Sequence, residues 1–280
     1  MTISCQKESI IPMEEPSQNY RVSSPIYSHI FVLWMENKTY TSIVGSSSAP
    51  YMNLLMSQGT LFTRFNAIDY DSQPNYIGGF AGSRCGVSNN TCLSGRLLTQ
   101  KNLYTQLSLV GKGFETYCEG LPSVGSTTCS SGRYRRRHNA PINFSNVPSS
   151  VIKPLTMLPT NLNTCGTVVW IVPNNDHNMH DQSISYGDNW IKNNLQVQSI
   201  INYCKNPANN SLFVLYFDEG TSSSNKIAVT FVGNRVKVNY KNGITYNHYS
   251  FNKTVLKMHG TAVVNSATSS AYAYMTDYYN

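Results

Sequence analysis

Three apolar runs each end in charged or metal-ligating residues, and this coincidence limits the possible folds more than any other feature of the chain. The run from His29 to Met35 leads into Glu36 and Asn37, that from Val168 to Val172 into the polar segment 173–181, and that from Leu212 to Phe217 into Asp218 and Glu219. Short continuous runs rich in β-branched and aromatic residues read as strands buried on both faces. In open α/β sheets the ligand site lies beyond the carboxyl ends of such strands. One such run would be a core strand followed by an ordinary polar loop. Three of them point to a single polar site drawn from distant parts of the chain, and so to an enzyme.

The intervening sequence alternates helix and strand signals. Pro50 near a start and Gly59 at a stop predict a short helix ending near Met56. Residues 60–67 and 113–118 read as strands, 102–110 as a helix with Leu103, Gln106, Leu107 and Val110 on one face, and 188–203 as one helix. Residues 226–232 read as another buried strand and 249–258 as a last helix. This alternation predicts the α/β class, with a mostly parallel central sheet covered by helices on both faces. Residues 1–27 hold three Pro and little periodicity and are expected to form an extended arm. The remainder, 28–280, is expected to form one domain. Residues 119–150, rich in Ser, Gly, Pro and Arg, read as a long functional loop.

Charged residues are 12% of the chain, with Ser, Thr, Asn and 19 Tyr in their place. That surface suits an extracellular or secretory-pathway protein, as do five N-x-S/T sequons, at Asn37, Asn89, Asn143, Asn209 and Asn252. The first eight residues show no basic segment followed by an apolar one, so no signal peptide is read there. Seven Cys lack CxxC spacing, which argues against thiolate metal sites. Short disulfide loops are expected from Cys85 with Cys92 and Cys118 with Cys129, with Cys165–Cys204 as a third and Cys5 left over. The net charge is +7, with one dense clump from Arg133 to His138. A nucleic-acid partner would need a basic stripe with interleaved aromatics, which is missing. The clump suits an anionic substrate or peripheral contact with an anionic membrane. No run approaches the ~18–20 apolar residues of a transmembrane segment.

The strand-end residues carry the chemistry. Glu36, Asn37, Asp218 and Glu219 are hard oxygen donors suited to one divalent cation, with Ca, Mg, Mn and Zn all open. Converging carboxylates without a cation would repel each other and raise a pKa. Ser72 precedes a Gly-rich stretch, 77–83, that reads as a turn. At a helix N-terminus it would meet an anion and, beside a metal, act as a nucleophile. Among the histidines, His180 with Asp181 beyond a buried strand has the strongest position, while His29 and His259 read as structural.

In order along the chain, Glu36-Asn37, residues 49–53, Ser72-Gln-Pro-Asn75-Tyr76, Gly82-Ser83, Tyr117 with Glu119, residues 134–139, Pro173-Asn174 with Met179-His180-Asp181, Gly187 to Trp190, Asp218-Glu219-Gly220 and residues 247–250 resemble the phosphoesterase family of acid phosphatases and, more distantly, phosphocholine-preferring phospholipases C. The resemblance implies an alkaline-phosphatase-like fold and a divalent metal cation on Glu36, Asn37, Asp218 and Glu219. It implies Ser72 as nucleophile through a phosphoserine, His180 as its catalytic partner, and Asn75, His138, Asp181 and Arg137 against a phosphorylated small molecule or lipid headgroup. Where the family reads His-Pro-Ser, this chain reads Tyr70-Asp71-Ser72. The leading expectation is a metal-dependent phosphomonoesterase. The exchanged residues keep a phospholipase C-like diesterase in view, and the Arg133–Arg137 run keeps a catalytically silent headgroup-binding protein in view.

Overall fold

The computed structural model describes residues 25–221 and 223–280. Most of the arm expected over 1–27, and Cys5 with it, lies outside the described residues. The elements run β1 (His29–Met35), α1 (Tyr40–Ile43), α2 (Pro50–Ser57), β2 (Thr60–Asn66), α3 (Ser72–Ala81), α4 (Leu103–Ser108), β3 (Phe114–Cys118), β4 (Ser130–Ser131), β5 (Tyr134–Arg135) and β6 (Ile152–Pro154), followed by β7 (Val168–Val172), α5 (Ile184–Asn193), α6 (Leu195–Lys205), β8 (Ser211–Phe217), β9 (Lys226–Val232), β10 (Tyr240–Asn247) and α7 (His248–Met258).

Eight strands form one sheet in the order β10-β2-β9-β8-β1-β7-β3-β6. All its pairings are parallel except those of β9, which runs antiparallel to both β2 and β8. The three apolar runs of the sequence are therefore the adjacent central strands β8, β1 and β7. Every residue of the three is buried, as expected for strands covered on both faces. Side chains alternate along β1, so Phe31 and Trp34 point to opposite faces. Trp34 stacks on Tyr76 of α3 at 4.3 Å between ring centres, and Phe31 meets Tyr203 of α6 edge-on at 6.0 Å. Helices α3, α4 and α7 pack together over the Trp34 face; α2, α5 and α6 pack together over the other.

Several local expectations are corrected. The helix expected over 188–203 is two helices. Asn194 leaves the helical region at ψ 116°, and its side chain accepts from Val197 N to start α6. Gly78 and Gly79 lie inside α3 rather than in a turn. A Cβ at Gly78 would sit 2.2 Å from Ile68 Cδ1, and one at Gly79 3.0 Å from the Trp34 ring, so the missing side chains let α3 lie close on the loop after β2 and on β1. Strand β10 was not foreseen; its pairing with β2 shifts register between Asn242 and Thr245, which breaks the alternation that would mark it.

Among the described residues the disulfide is Cys92–Cys129, not either short loop nor Cys165–Cys204, and Cys85, Cys118, Cys165 and Cys204 are free. Cys118 ends β3 and is buried in the core, whereas Cys129 lies exposed in the following loop, so closeness in sequence does not bring their sulfurs together. Two sequons are also buried. Asn143 accepts from Arg136 Nε, and Asn252 donates to the carbonyls of Gly79 and Phe80, so neither side chain is open to a glycan. Among the described residues no helix is long and apolar enough to cross a membrane.

Candidate active site

Parallel register brings the acidic residues together. Met35 of β1 is paired with Phe217 of β8, so the next residues, Glu36 and Asp218, emerge side by side. Asn37 turns the chain out of β1 in the left-handed region, at φ 45°, a conformation Asn tolerates better than most residues. Asp218 Oδ1 accepts from Asn37 N at 3.1 Å and from Glu219 N at 2.7 Å, which fixes both turns against each other. Below them His248, at the start of α7, bonds Asp218 O through Nε2 at 2.6 Å and Tyr216 OH through Nδ1 at 2.9 Å. Burial pushes this imidazole down to about 4, so it is neutral and Nε2 carries the proton.

Ser72 is the first residue of α3 and is 1% exposed. Its Oγ lies 3.1 Å from Glu36 Oε2 and 3.3 Å from Glu219 Oε1. Glu36 Oε1 accepts from Tyr76 OH at 2.5 Å. The three residues singled out by the sequence at 36, 72 and 218 thus share one buried cluster, and Glu219 joins it. Burial, followed by repulsion from Asp218, raises Glu36 well above the usual carboxylate range. The same two causes lift Glu219 to about 10, and burial raises Asp218. Three acids this close, with so little water, are unstable as anions on their own.

The donor set fits a hard cation. Asn37 Oδ1 and Asp218 Oδ2 are buried with no hydrogen-bond partner, an arrangement that costs free energy and that an ion between them would relieve. Among the described residues no three His, Cys, Asp or Glu side chains form a ready ion cage. The candidate cation site instead combines Glu36 and Asp218 with the amide and hydroxyl oxygens of Asn37 and Ser72.

Asn75, expected against substrate, is fully engaged elsewhere. Its Oδ1 accepts from Ile68 N and Asp69 N, and its Nδ2 donates to Asp69 O, Asp71 O and Glu219 Oε2. In this geometry it holds Glu219 and the loop before Ser72 rather than facing a ligand. Asp188 in the Gly187–Trp190 motif is structural as well, accepting from Tyr51 N and Met52 N at the start of α2.

A basic group faces the carboxylates. His138 Nε2 lies 3.4 Å from Glu36 Oε2, the oxygen that Ser72 also approaches. Its ring stacks on Tyr76 at 5.4 Å. Burial first, and then the charge of Arg137, hold His138 well below the usual imidazole range, so it is neutral. Arg137 bridges two imidazoles, donating from Nε to His138 Nε2 at 3.1 Å and from Nη2 to His180 Nε2 at 3.0 Å. His180 Nδ1 in turn donates to Asp181 Oδ1 at 2.7 Å. Asp181 also accepts from Asn175 Nδ2 and Arg133 Nη1, each at 3.3 Å. In this geometry it orients His180.

The rest of the basic clump is spent on structure. Arg133 pairs with Asp176 and Asp181. Arg136 is buried and bonds Asn143 Oδ1, Thr127 O and Gly95 O. The exchanged residue Tyr70 is exposed and reaches Ser223 O at 2.8 Å, while Asp71 is tied to Asn90. Sequence reasoning gave no individual role to Tyr76, His248 or Lys38. Lys38 bonds Met179 O at 2.8 Å and so joins the end of β1 to the loop carrying His180. The signal available was membership of the segments 72–76 and 247–250 for Tyr76 and His248, and a place next to Asn37 for Lys38.

The model of the Phosphoesterase family matches residues 46–262 of the chain. The chain belongs to the phosphoesterase family. It is a hydrolase of phosphoric ester bonds. This phosphoesterase is 37% identical to a phosphatidylinositol-3-phosphatase of Mycobacterium tuberculosis, over 88% of this chain and 81% of the relative. It is 26% identical to an acid phosphatase of Aspergillus fumigatus over 88% of this chain, and the match spans 59% of that longer relative. A solved structure of an alkaline phosphatase superfamily protein from Vibrio parahaemolyticus matches 86% of this chain with a TM-score of 0.60 at 12% identity, a likeness of fold.

Proposed function

We propose that this phosphoesterase is a cation-assisted phosphomonoesterase in which Ser72 attacks phosphorus and carries the phosphoryl group as a phosphoserine. The observation that supports this reading most is the shared oxygen, Glu36 Oε2, with Ser72 Oγ at 3.1 Å on one side and His138 Nε2 at 3.4 Å on the other. A phosphoryl group in contact with Ser72 would meet the Arg–His cluster at once.

Glu36, Asn37 and Asp218 would hold the divalent cation beside Ser72, with Glu219 held on Ser72 and Asn75 next to them. Oxygen donors alone suit Mg, Ca or Mn better than softer metals. When bound, the cation supplies positive charge that favours an ionised serine and steadies the transferring phosphoryl group. Ser72 gives up its proton along hydrogen bonds that already run to Glu36 and Glu219. The Oγ–P bond forms as the ester O–P bond breaks. Arg137 would hold the phosphoryl oxygens, and neutral His138, whose Nε2 accepts from Arg137 Nε, would keep the guanidinium aimed at them. The proton released by Ser72 would pass on to the leaving ester oxygen. His180, kept in one tautomer by Asp181 with its Nε2 lone pair freed as Arg137 turns to the phosphoryl group, would then take a proton from the water that hydrolyses the phosphoserine and return it to Ser72 Oγ.

The monoester preference is supported by Arg137. Among the described residues its polar partners are two imidazole nitrogens and no carboxylate neutralises its charge before a dianionic phosphoryl group arrives. Tyr70, turned out to Ser223, and Asp71, tied to Asn90, leave that charge in place. The name of the mycobacterial relative makes a phosphorylated lipid headgroup a fitting substrate beside soluble phosphomonoesters. An extracellular or secretory-pathway location accords with the Cys92–Cys129 disulfide.

The test is hydrolysis of an aryl phosphate and of a bis-aryl phosphate by the wild type, with and without chelator, and by Ser72→Ala. Turnover of the monoester that stops with chelator and with the substitution is the expected result. Turnover of the diester alone, or hydrolysis that survives loss of the hydroxyl, would overturn the proposal.

A further inference from the structure

The residues on either side of Ser72 are both tied to one short segment. Asp71 Oδ1 accepts from Asn90 Nδ2 at 2.7 Å, and Gln73 N donates to Asn90 Oδ1 at 2.9 Å. Gln73, which is fully buried, donates from Nε2 to Asn89 O at 3.0 Å and to Thr91 O at 2.9 Å. Residues 89–91 thus grip the chain before and after the nucleophile. The next residue is Cys92, which is bonded to Cys129. Cys129 O accepts from Arg136 N at 3.0 Å, and Arg137 and His138 follow directly. A single covalent link therefore joins the strip that sets Ser72 to the strip that sets the Arg–His cluster.

Neither strip is placed by the central sheet. Residues 84–97 contain no helix or strand, and 119–133 contain only the two residues of β4. Without a ladder between them, the spacing of the strips rests on side-chain hydrogen bonds and on the disulfide. Cys129 is exposed, so a reductant can reach the bond. The free thiols Cys118 and Cys204 are buried and take no part in this link.

We propose that the Cys92–Cys129 disulfide is a redox-sensitive pin that holds Ser72 in register with Arg137 and His138, so that its reduction lowers turnover in a protein that stays folded. The inference rests on the catalytic roles given to those three residues above. The step is a thiol–disulfide exchange with a dithiol. The Cys92–Cys129 S–S bond breaks, its two sulfurs take up two electrons and two protons, and the dithiol is oxidised to its own disulfide. The disulfide is a positioning element, since neither sulfur touches the reacting atoms.

The test is made on the folded wild-type protein, treated with a dithiol at low temperature and compared with the oxidised protein. Turnover of an aryl phosphate is measured per folded molecule, as judged by near-ultraviolet circular dichroism. A fall in kcat of about tenfold or more is expected, since misplacement by ~1 Å can cost ~100-fold. Cys85→Ser, which removes a free thiol on the same strip, should behave as the wild type in both states. Hydrogen exchange supplies a readout that does not depend on activity. The amides of Gln73 and Arg136, bonded to Asn90 Oδ1 and Cys129 O, should lose protection together on reduction. Unchanged kcat in the reduced protein, unchanged protection at Gln73, or collapse of the dichroism spectrum would each overturn the pin. An oxidised protein that hydrolyses no ester, yet shows coupled loss of protection, would count against the catalytic assignment and leave the pin standing.

Discussion

The two halves of the site are built by different means. The acidic half hangs from backbone ladders. β1 and β8 pair along their whole length, and their last residues deliver Glu36 and Asp218 to the same spot. The basic half hangs from loops. Arg137 and His138 follow the two-residue β5, and His180 sits in the polar segment after β7. Side-chain hydrogen bonds, an ion-paired Arg133 and one disulfide do there what the ladder does on the other side. Register in a buried parallel sheet is strongly specified, because a slip would move every side chain to the wrong face. Loop placement depends on many weaker contacts. The acidic half should therefore behave as a fixed platform, and the basic half as a part that variants and redox state can shift.

Substitutions measure that division. Ser72→Ala removes the atom both halves serve, so kcat should fall by ~10⁴-fold or more, with the melting temperature little changed. A rate within tenfold of the wild type in a purified, chelator-free assay would break the scheme at its centre. Asp218→Asn takes charge from the platform without changing its shape. Activity should fall by ~10²–10³-fold, and the divalent ion that copurifies, read by elemental analysis, should fall with it. Full metal content with lost activity would move the cation elsewhere. Arg137→Met removes the charge from the loop half. Its kcat/KM for monoesters should drop by ~10²-fold and its preference for monoesters over diesters should narrow, with metal content unchanged. Equal losses on both substrate types would contradict the role given to that guanidinium.

The platform also carries the smallest predicted effect, on stability against pH. His248, under Asp218, titrates near 4 in the folded protein against about 6.5 when unfolded. Its folded pKa is depressed, so the unfolded chain binds the extra proton first. The stability this group provides is complete above pH ~6.5 and is lost as the pH falls through ~4. Between pH 7 and 4.5 the wild type should lose about 2 kcal/mol more than His248→Phe in urea unfolding. Parallel pH profiles for the two proteins would contradict a neutral, buried imidazole at that position.

The same division explains what could be read from the sequence. The platform was legible because apolar runs ending in hard ligands report strand ends, and parallel strand ends lie together. Glu36, Asn37, Ser72, Asp218 and Glu219 were found that way or through the family resemblance. The loop half was legible only as residue types. The structure places Asn75 and Asp181 with their polar atoms on Glu219 and His180, which sequence does not show. Arg136 and Arg137 are neighbours in one basic clump, yet one is buried among carbonyls and the other faces the cluster. The disulfide was misassigned for the same reason. Spacing along the chain is a poor guide where one cysteine ends a buried strand and the other lies in a loop.

The most direct test of the account is the position of a divalent ion. A crystal of the protein grown with manganese should show one anomalous peak about 2.0–2.6 Å from oxygens of Glu36, Asn37 and Asp218, beside Ser72 Oγ. A peak bound away from this cluster, or full activity in a protein stripped of metal with the cluster empty, would contradict it.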